Sequence, residues 1–459
     1  MARTAKKSSR SYKSSSKVTK TSSKGLLKKP IIYAFLGVFT IFGLAVVFFT
    51  RAATSPVASS YFTSKSIRVV DTRKVSNGKL SPGGKLEGVK PFVASPNYTQ
   101  VQGDQSAAKV TGVVMNISIV SPTENTSIKV WQTGTTEPQY ASLYASKGIS
   151  TSNEIVIPIN PNIQAPTISF ANSSGSIDVV GDLVGYYSYA GNPQQGVTPP
   201  TGLIGKQLNF VPDIRRVLDT RSTPPKASPT PISISLDTAP NKKVAVVNVT
   251  AVAASSPVGG FYRVYPGDIG LEGYNKVYNA TPPTVTSNAS FSAGNNIANE
   301  IMAPMKDGKI QLWSSASVDT VVDLIGYYAS SDKLVKGRNY ILPTAVRVYD
   351  TISPTKIDLT SSATSPVSVT LAGKGGLPGT VQAAIVNVTV NPGPNSGYIR
   401  IYPSGSGAIV SNINFMANQT VANQIILPVG PDGKVNIKAF GASAATSLSF
   451  DVVGYTLAN

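Results

Sequence analysis

The chain of 459 residues contains no cysteine and no histidine, and only 22 acidic residues. Without cysteine there is no disulfide framework and no thiolate chemistry, which fits a secreted or surface protein held together by packing alone. Without histidine there is no Ser-His or Cys-His dyad, no imidazole metal ligand and no general base of the usual kind. A glycosidase needs only two carboxylates, but no acidic pair recurs here at close spacing. A non-enzymatic role is therefore expected, with no cofactor and no metal. A glycan-active enzyme is the remote alternative.

Charge is also missing from one long stretch. Ile31 to Thr50 is a run of 20 uncharged residues, IIYAFLGVFTIFGLAVVFFT. At 1.5 Å per helical residue such a run reaches about 30 Å, the thickness of the hydrocarbon layer. A helix satisfies its own backbone in lipid, so a single transmembrane helix over 30–51 is expected. Residues 1–29 carry ten basic groups and no acid, whereas Arg51 is the one charge between the run and Lys65. That asymmetry places the N-terminus in the cytoplasm and the C-terminal bulk outside it. A cleaved signal peptide, cut within Ala52–Ser60, is the rival, but its apolar core is usually shorter. The basic tail is read as disordered and attracted to lipid headgroups. Nucleic-acid binding is the less favoured use of such a tail. Ten of the net +19 charges lie in it, which leaves +9 for the rest. A mildly cationic remainder suits anionic envelope polymers.

What is abundant is turn and strand chemistry. There are 39 glycines and 33 prolines, and Val, Ile, Thr, Ser and Tyr dominate the apolar segments. Five landmarks recur three times in the same order. The first is Arg68-Val-Val-Asp71-Thr-Arg73, Arg216-Val-Leu-Asp219-Thr-Arg221 and Arg347-Val-Tyr-Asp350-Thr-Ile352. The second contains Asn116, Asn248 and Asn387 within valine- and isoleucine-rich strands. The third is Ser127-Ile-Lys-Val-Trp131, Phe261-Tyr-Arg-Val-Tyr265 and Tyr398-Ile-Arg-Ile-Tyr402. The fourth begins at Asn153-Glu-Ile, Asn299-Glu-Ile and Asn423-Gln-Ile. The fifth is Asp182-Leu-Val-Gly-Tyr-Tyr187, Asp323-Leu-Ile-Gly-Tyr-Tyr328 and Asp451-Val-Val-Gly-Tyr455. Asp71 to Asp182, Asp219 to Asp323 and Asp350 to Asp451 are 111, 104 and 101 residues apart. Each copy is long enough to bury a core.

The fold class expected is mainly β: three tandem antiparallel β-sandwich modules after one N-terminal transmembrane helix. The modules span 61–189, 207–329 and 340–459, joined by a Pro/Gly linker at 190–206 and a short linker at 330–339. Separate domains are favoured over blades of one closed fold. In the second landmark Met115, Ile117 and Ile119 alternate with Val114, Asn116 and Ser118. A wholly aliphatic face opposite a mixed one predicts a strand packed on one side only.

These landmarks resemble a repeat module of bacterial surface and secreted proteins, with the pattern R-[VL]-x-D-T-R, V-x-N-V-T, G-Y-x-x-x-Y-P, A-N-x-[VI]-x-[VP]-P and D-[VL]-x-G-Y-[YF]. The resemblance covers 66–187, 214–328 and 345–456, and implies structural or binding units at a cell surface. Copy one departs from it at Trp131-Gln-Thr-Gly, and copy three at Ile352, where the second Arg is expected.

Several motifs have a structural and a functional reading. Asp71 and Arg73 suit a pair or a turn cap at a strand end. Calcium ligation by Asp71, Asp219 and Asp350 is the weaker idea, since one carboxylate per site is too few. Asn116, Asn248 and Asn387 lie in N-x-S/T sequons, but their aliphatic surroundings point to hydrogen bonds with a neighbouring loop. Gly185, Gly326 and Gly454 suit a bulge or a close backbone approach. The candidate ligand-binding residues are Lys129 and Trp131, then Phe261, Arg263 and Tyr265, then Tyr398, Arg400 and Tyr402. A cation between aromatic rings can stack a sugar and hold an anionic group. The alternative is a ladder of cross-strand cation–π contacts that shields a sheet. Candidate partners are the lipid bilayer through Ile31 to Thr50, and cell-wall polymer, glycan or surface protein through the modules.

Overall fold

The computed structural model describes residues 56–75, 78–91, 108–163, 166–190, 208–222, 226–253, 256–267, 287–330, 338–352, 357–407 and 409–458. The basic tail and the expected transmembrane helix lie outside them. Among the described residues no helix is long and apolar enough to cross a membrane.

Among the described residues each copy contributes eight strands. Copy one has β1 (Ala58–Asp71), β2 (Lys85–Val89), β3 (Ala108–Val120), β4 (Thr126–Gln132), β5 (Leu143–Ala145), β6 (Thr151–Pro158), β7 (Ile168–Asn172) and β8 (Asp178–Ala190). Copy two has β9 (Leu208–Asp219), β10 (Ile232–Ser235), β11 (Lys242–Val252), β12 (Gly260–Pro266), β13 (Ala289–Phe291), β14 (Asn296–Pro304), β15 (Lys309–Ser314) and β16 (Asp319–Ser330). Copy three has β17 (Asn339–Asp350), β18 (Val367–Thr370), β19 (Val381–Asn391), β20 (Gly397–Pro403), β21 (Ile413–Phe415), β22 (Val421–Pro428), β23 (Lys434–Phe440) and β24 (Ser447–Leu457).

The pairing is antiparallel throughout and identical in the three copies. One sheet of copy three runs β17-β24-β19-β22 and the other β18-β23-β20-β21. Counted from the start of the copy, these orders are 1-8-3-6 and 2-7-4-5. Two four-stranded sheets connected in this order form a double-sheet jelly roll. Each sandwich has its own core. In copy one Met115, Ile117 and Ile119 of β3 pack with Ile128, Val130, Ile168 and Phe170 of the opposite sheet. Val386, Val388 and Val390 of β19 do the same in copy three.

The expectation of separate domains does not hold. Residues 54–459 form one compact unit. The inner sheets merge into a single 12-stranded sheet, because β1 pairs with β17 at Ala58–Tyr340 and Ser59–Asn339, and with β9 at Tyr61–Leu208. A fourth core lies between the copies and draws equivalent side chains from all three: Val114, Val246 and Ile385; Val156, Met302 and Ile426; Val184, Ile325 and Val453. The apolar second face of each inner sheet decides the packing.

The strand was expected to pack on one side, and its second face is buried as well. Val114, Asn116 and Ser118 are no more than 5 % exposed. Period-2 patterning identifies the two faces but not what covers the mixed one. The asparagines survive burial there because their side-chain amides donate to the next copy, while Thr250 and Thr389 accept from the asparagine of their own strand.

The closing glycines set the geometry of this shared core. Val114 pairs with Gly185 and Met115 with Leu183, so Val184 is an extra, bulged residue. Ile325 and Val453 are bulged in the same way in β16 and β24. A bulge turns a side chain away from its alternating place, and here it sends all three into the core between the copies. The glycines allow close passage of the opening strand as well. A Cβ built on Gly185 would lie 2.7 Å from the Phe62 carbonyl oxygen, and one on Gly454 2.7 Å from that of Tyr340. Both roles expected of these glycines, bulge and close approach, are present.

Candidate functional site

The aromatic–cation strands β4, β12 and β20 lie in the outer sheets. Their alternate residues Ile128 and Val130, Tyr262 and Val264, and Ile399 and Ile401 point into the copy cores. The candidate residues therefore occupy the outward face. In copy two the Arg263 guanidinium lies over Phe261 at 5.4 Å and over Trp313 of the adjacent β15 at 4.8 Å. In copy three Arg400 lies over Tyr398 at 5.3 Å and Phe440 of β23 at 5.2 Å, and those two rings stack at 4.6 Å. These are cross-strand cation–π contacts, worth about 0.5–2 kcal/mol each depending on burial. Copy one differs. Lys129 and Lys85 both pair with Glu137, and Lys85 lies 5.5 Å from the Trp131 ring. Arg263 is 5 % exposed and Tyr265 fully buried, while Phe261, Tyr398 and Arg400 are half-buried. Copy three offers the more open version of the arrangement.

The Arg-x-x-Asp-Thr-Arg landmark is a clasp between the opening and closing strands. Arg68 Nε donates to Asp182 Oδ1 at 2.5 Å and Nη2 to Asp182 Oδ2 at 3.2 Å, a two-pronged fork. Its Nη1 donates to Asp71. Arg73 closes a second fork onto Asp71 at 2.8 Å for both bonds. Burial pushes the Asp71 carboxyl upward, but the Arg73 and Arg68 guanidiniums outweigh it and hold it below the ordinary value. The intervening Thr72 is buried, donates to Asp178 and accepts from the Val179 N–H. Copy two repeats the set with Arg216, Asp219, Arg221 and Asp323. Copy three keeps Arg347 on Asp451 and Asp350. Ile352, in place of the second Arg, contributes only its backbone N–H to Asp350. The carboxylates considered for calcium thus serve as acceptors for arginine, and among the described residues no three acidic side chains gather as a metal-ligand group.

The three asparagines of the second landmark join the copies in a cycle. Asn116 Nδ2 donates to the Ser287 carbonyl, Asn248 Nδ2 to that of Ser411 at 3.1 Å, and Asn387 Nδ2 to that of Ala141 at 3.3 Å. Copy one thus bonds copy two, copy two bonds copy three, and copy three bonds copy one. The neighbouring loop expected from sequence belongs to the next copy, not to the asparagine's own.

A second cycle was not anticipated. Glu154 Oε1 accepts from the Met302 N–H at 2.8 Å, Glu300 Oε1 from Ile426 at 2.6 Å, and Gln424 Oε1 from Val156 at 2.5 Å. All three side chains are about 5 % exposed. Recurrence of Asn-[Glu/Gln]-Ile marked the position, but nothing in one copy reveals a partner 126 to 268 residues away. Nearby, the rings of Tyr61, Tyr187, Tyr328 and Phe210 pack together, with Tyr61 and Tyr328 centroids 4.6 Å apart. Asn339 of copy three donates to the Ser59 and Leu208 carbonyls and so ties all three opening strands.

Among the described residues, clefts open between copies. One of about 670 Å³ lies between copies one and two and is lined by Arg68, Arg73, Lys74, Phe261 and serine hydroxyls. Another, about 310 Å³, lies between copies three and one beside Trp131, Glu137 and Arg347.

No family model matches the chain, and no curated protein does. Among solved structures, a chain described under "The Triple Jelly Roll Fold and Turret Assembly in an Archaeal Virus" aligns at 10 % identity over 88 % of this chain and 91 % of that one, with a TM-score of 0.17. A chain of Sulfolobus Turreted Icosahedral Virus aligns at 10 % identity over 87 % and 91 %, with a TM-score of 0.15. Overlap this slight carries no argument about family or function.

Proposed function

We propose that this chain is a membrane-anchored, extracytoplasmic surface protein whose three β-modules form a non-enzymatic structural or adhesive unit. The observation that carries this reading is the uncharged run Ile31 to Thr50 preceded by ten basic residues and no acid. The orientation follows from that asymmetry. The resemblance of the repeats to modules of bacterial surface and secreted proteins supports the location. The recurrent charged residues support the non-enzymatic part, because Arg68, Arg216 and Arg347 and their aspartates are consumed in clasps between strands. The full-length protein is expected to sediment with membranes through high salt and to dissolve only in detergent. Protease added outside intact cells should digest the modules. Recovery in the soluble cytoplasmic fraction, or modules protected until the cells are lysed, would refute the assignment.

A second reading is favoured by the half-buried Tyr398, Arg400 and Phe440 of copy three: binding of glycan or anionic wall polymer on the outward face. Arg263→Ala combined with Arg400→Ala is then expected to reduce retention on anionic cell-wall polymer several-fold. Equal retention by a variant with an unchanged melting profile would discard that reading.

A further inference from the structure

The strands β6, β14 and β22 are the free edges of the three inner sheets, and they meet between the copies. On an antiparallel edge every second residue turns both its N–H and its C=O away from the partner strand. Such pairs must be covered when the edge is buried. At Val156 of β6 one side chain covers both: Val156 N–H donates to Gln424 Oε1 at 2.5 Å, and Gln424 Nε2 donates to the Val156 carbonyl at 3.4 Å. Glu154 and Glu300 stand at the same place in the other two copies, and their Oε1 atoms accept from Met302 and Ile426 in the same way. Their Oε2 atoms, where Gln424 carries its NH₂ group, are buried without a hydrogen-bond partner. An ionised carboxylate is an acceptor only and cannot serve a carbonyl; a carboxylic acid can donate to it as the amide does.

We propose that Glu154 and Glu300 close the ring of copies as neutral carboxylic acids, each donating Oε2–H to the carbonyl of Met302 or Ile426 as Gln424 donates to Val156, and that their ionisation in alkaline solution loosens the contacts between copies. The three side chains border a cavity of about 10 Å³, room for about one water at most and too little to hydrate a charge. Glu154 acts on Glu300, and the titratable groups that feel the pair are Tyr61 of β1, Tyr187 of β8 and Tyr328 of β16. None of these supplies a positive charge. Burial pushes the Glu154 carboxyl up to about 8 against the opposing Met302 N–H. Burial also raises Glu300 well above its ordinary value, opposed by the Ile426 N–H and assisted by Glu154.

The direction of the pH effect follows from linkage. Above pH 4.5 the unfolded chain loses these protons while the folded ring keeps them. Stability therefore falls as pH rises from about 4.5 to the folded pKa of each acid, by a factor of about ten per pH unit per acid in the unfolding constant. The test is denaturation of the full-length protein between pH 5 and pH 8, followed by the fluorescence of Trp131 and Trp313. Glu154→Gln with Glu300→Gln should match the wild type near pH 5, unfold later at pH 8, and lose most of the pH slope. Gln424→Glu should steepen the slope. Equal slopes in wild type and double variant would overturn the proposal, as would a double variant that fails to fold at pH 5, since the amide must fit where a neutral acid fits. A second readout is infrared: a protonated-carboxyl C=O band at pH 7 that disappears in the double variant supports it, and its absence from the wild type refutes it.

Discussion

A chain ending at Ser330, with copies one and two but without copy three, is expected to aggregate rather than to keep two-thirds of the folded signal. Loss of copy three uncovers one side of the shared core, where Val156, Met302, Ile325 and Tyr328 are at most 7 % exposed. Each large apolar side chain returned to water costs about 1.5–3 kcal/mol. Polar groups are stranded as well. Glu300 loses the Ile426 N–H, Asn248 loses the Ser411 carbonyl, and Val156 loses Gln424. Each such loss in a buried site costs about 1–3 kcal/mol. The sum is comparable with the whole stability of an ordinary domain, about 5–15 kcal/mol. Size-exclusion chromatography of the truncated chain, with calorimetry of the intact one, checks this. Modules acting as independent beads would leave a monomeric two-copy chain and give separable melting transitions; the shared core predicts neither.

The parts of this fold that were legible in sequence are those contained within one copy. Alternation in Val113–Ile119 gave a strand with an aliphatic face, and that face fills the sandwich core as expected. The clasp was legible only in part: Asp71 with Arg73 was visible as a local pair, but Arg68 reaches across 114 residues to Asp182. What one copy could not show is contact with its neighbours. Asn116 demanded a hydrogen-bond partner because it is polar among aliphatics, yet its sequence says nothing of Ser287. Glu154 looks like an ordinary charged strand residue; only the edge of the next sheet makes it an acid in a closed site. The bulged Val184, Ile325 and Val453 break the period of two, so their common destination was hidden until the registers of β8, β16 and β24 were known. The aromatic–cation strands show the converse. Their composition was read correctly, but Trp313 and Phe440, the second ring of each cation–π cluster, come from strands about 40–50 residues later.

The same comparison between copies orders the clasps by strength. In copy one the Arg68 side chain is 10 % exposed and Asp182 is 2 % exposed. In copy three Arg347 is 44 % exposed over an Asp451 that is 7 % exposed. Removing a carboxylate from a buried pair costs up to about 3–5 kcal/mol, and less where a second carboxylate stays in reach, as Asp71 does for Arg68. An arginine that solvent can reach is rescued by water, and its pair is worth about 1 kcal/mol or less. Asp182→Ala is therefore expected to lower the urea midpoint much more than Asp451→Ala does, with the denaturant slope unchanged in both. The cost in copy one is the broken fork, with the buried Arg68 guanidinium left on Asp71 alone. Replacing both partners, Arg68→Met with Asp182→Leu, should then recover most of the loss. If the double variant is as weak as Asp182→Ala alone, the clasp holds the opening strand by geometry that only the fork supplies. In that case Arg68→Lys, which keeps the charge but cannot form the fork, should be as damaging as Asp182→Ala.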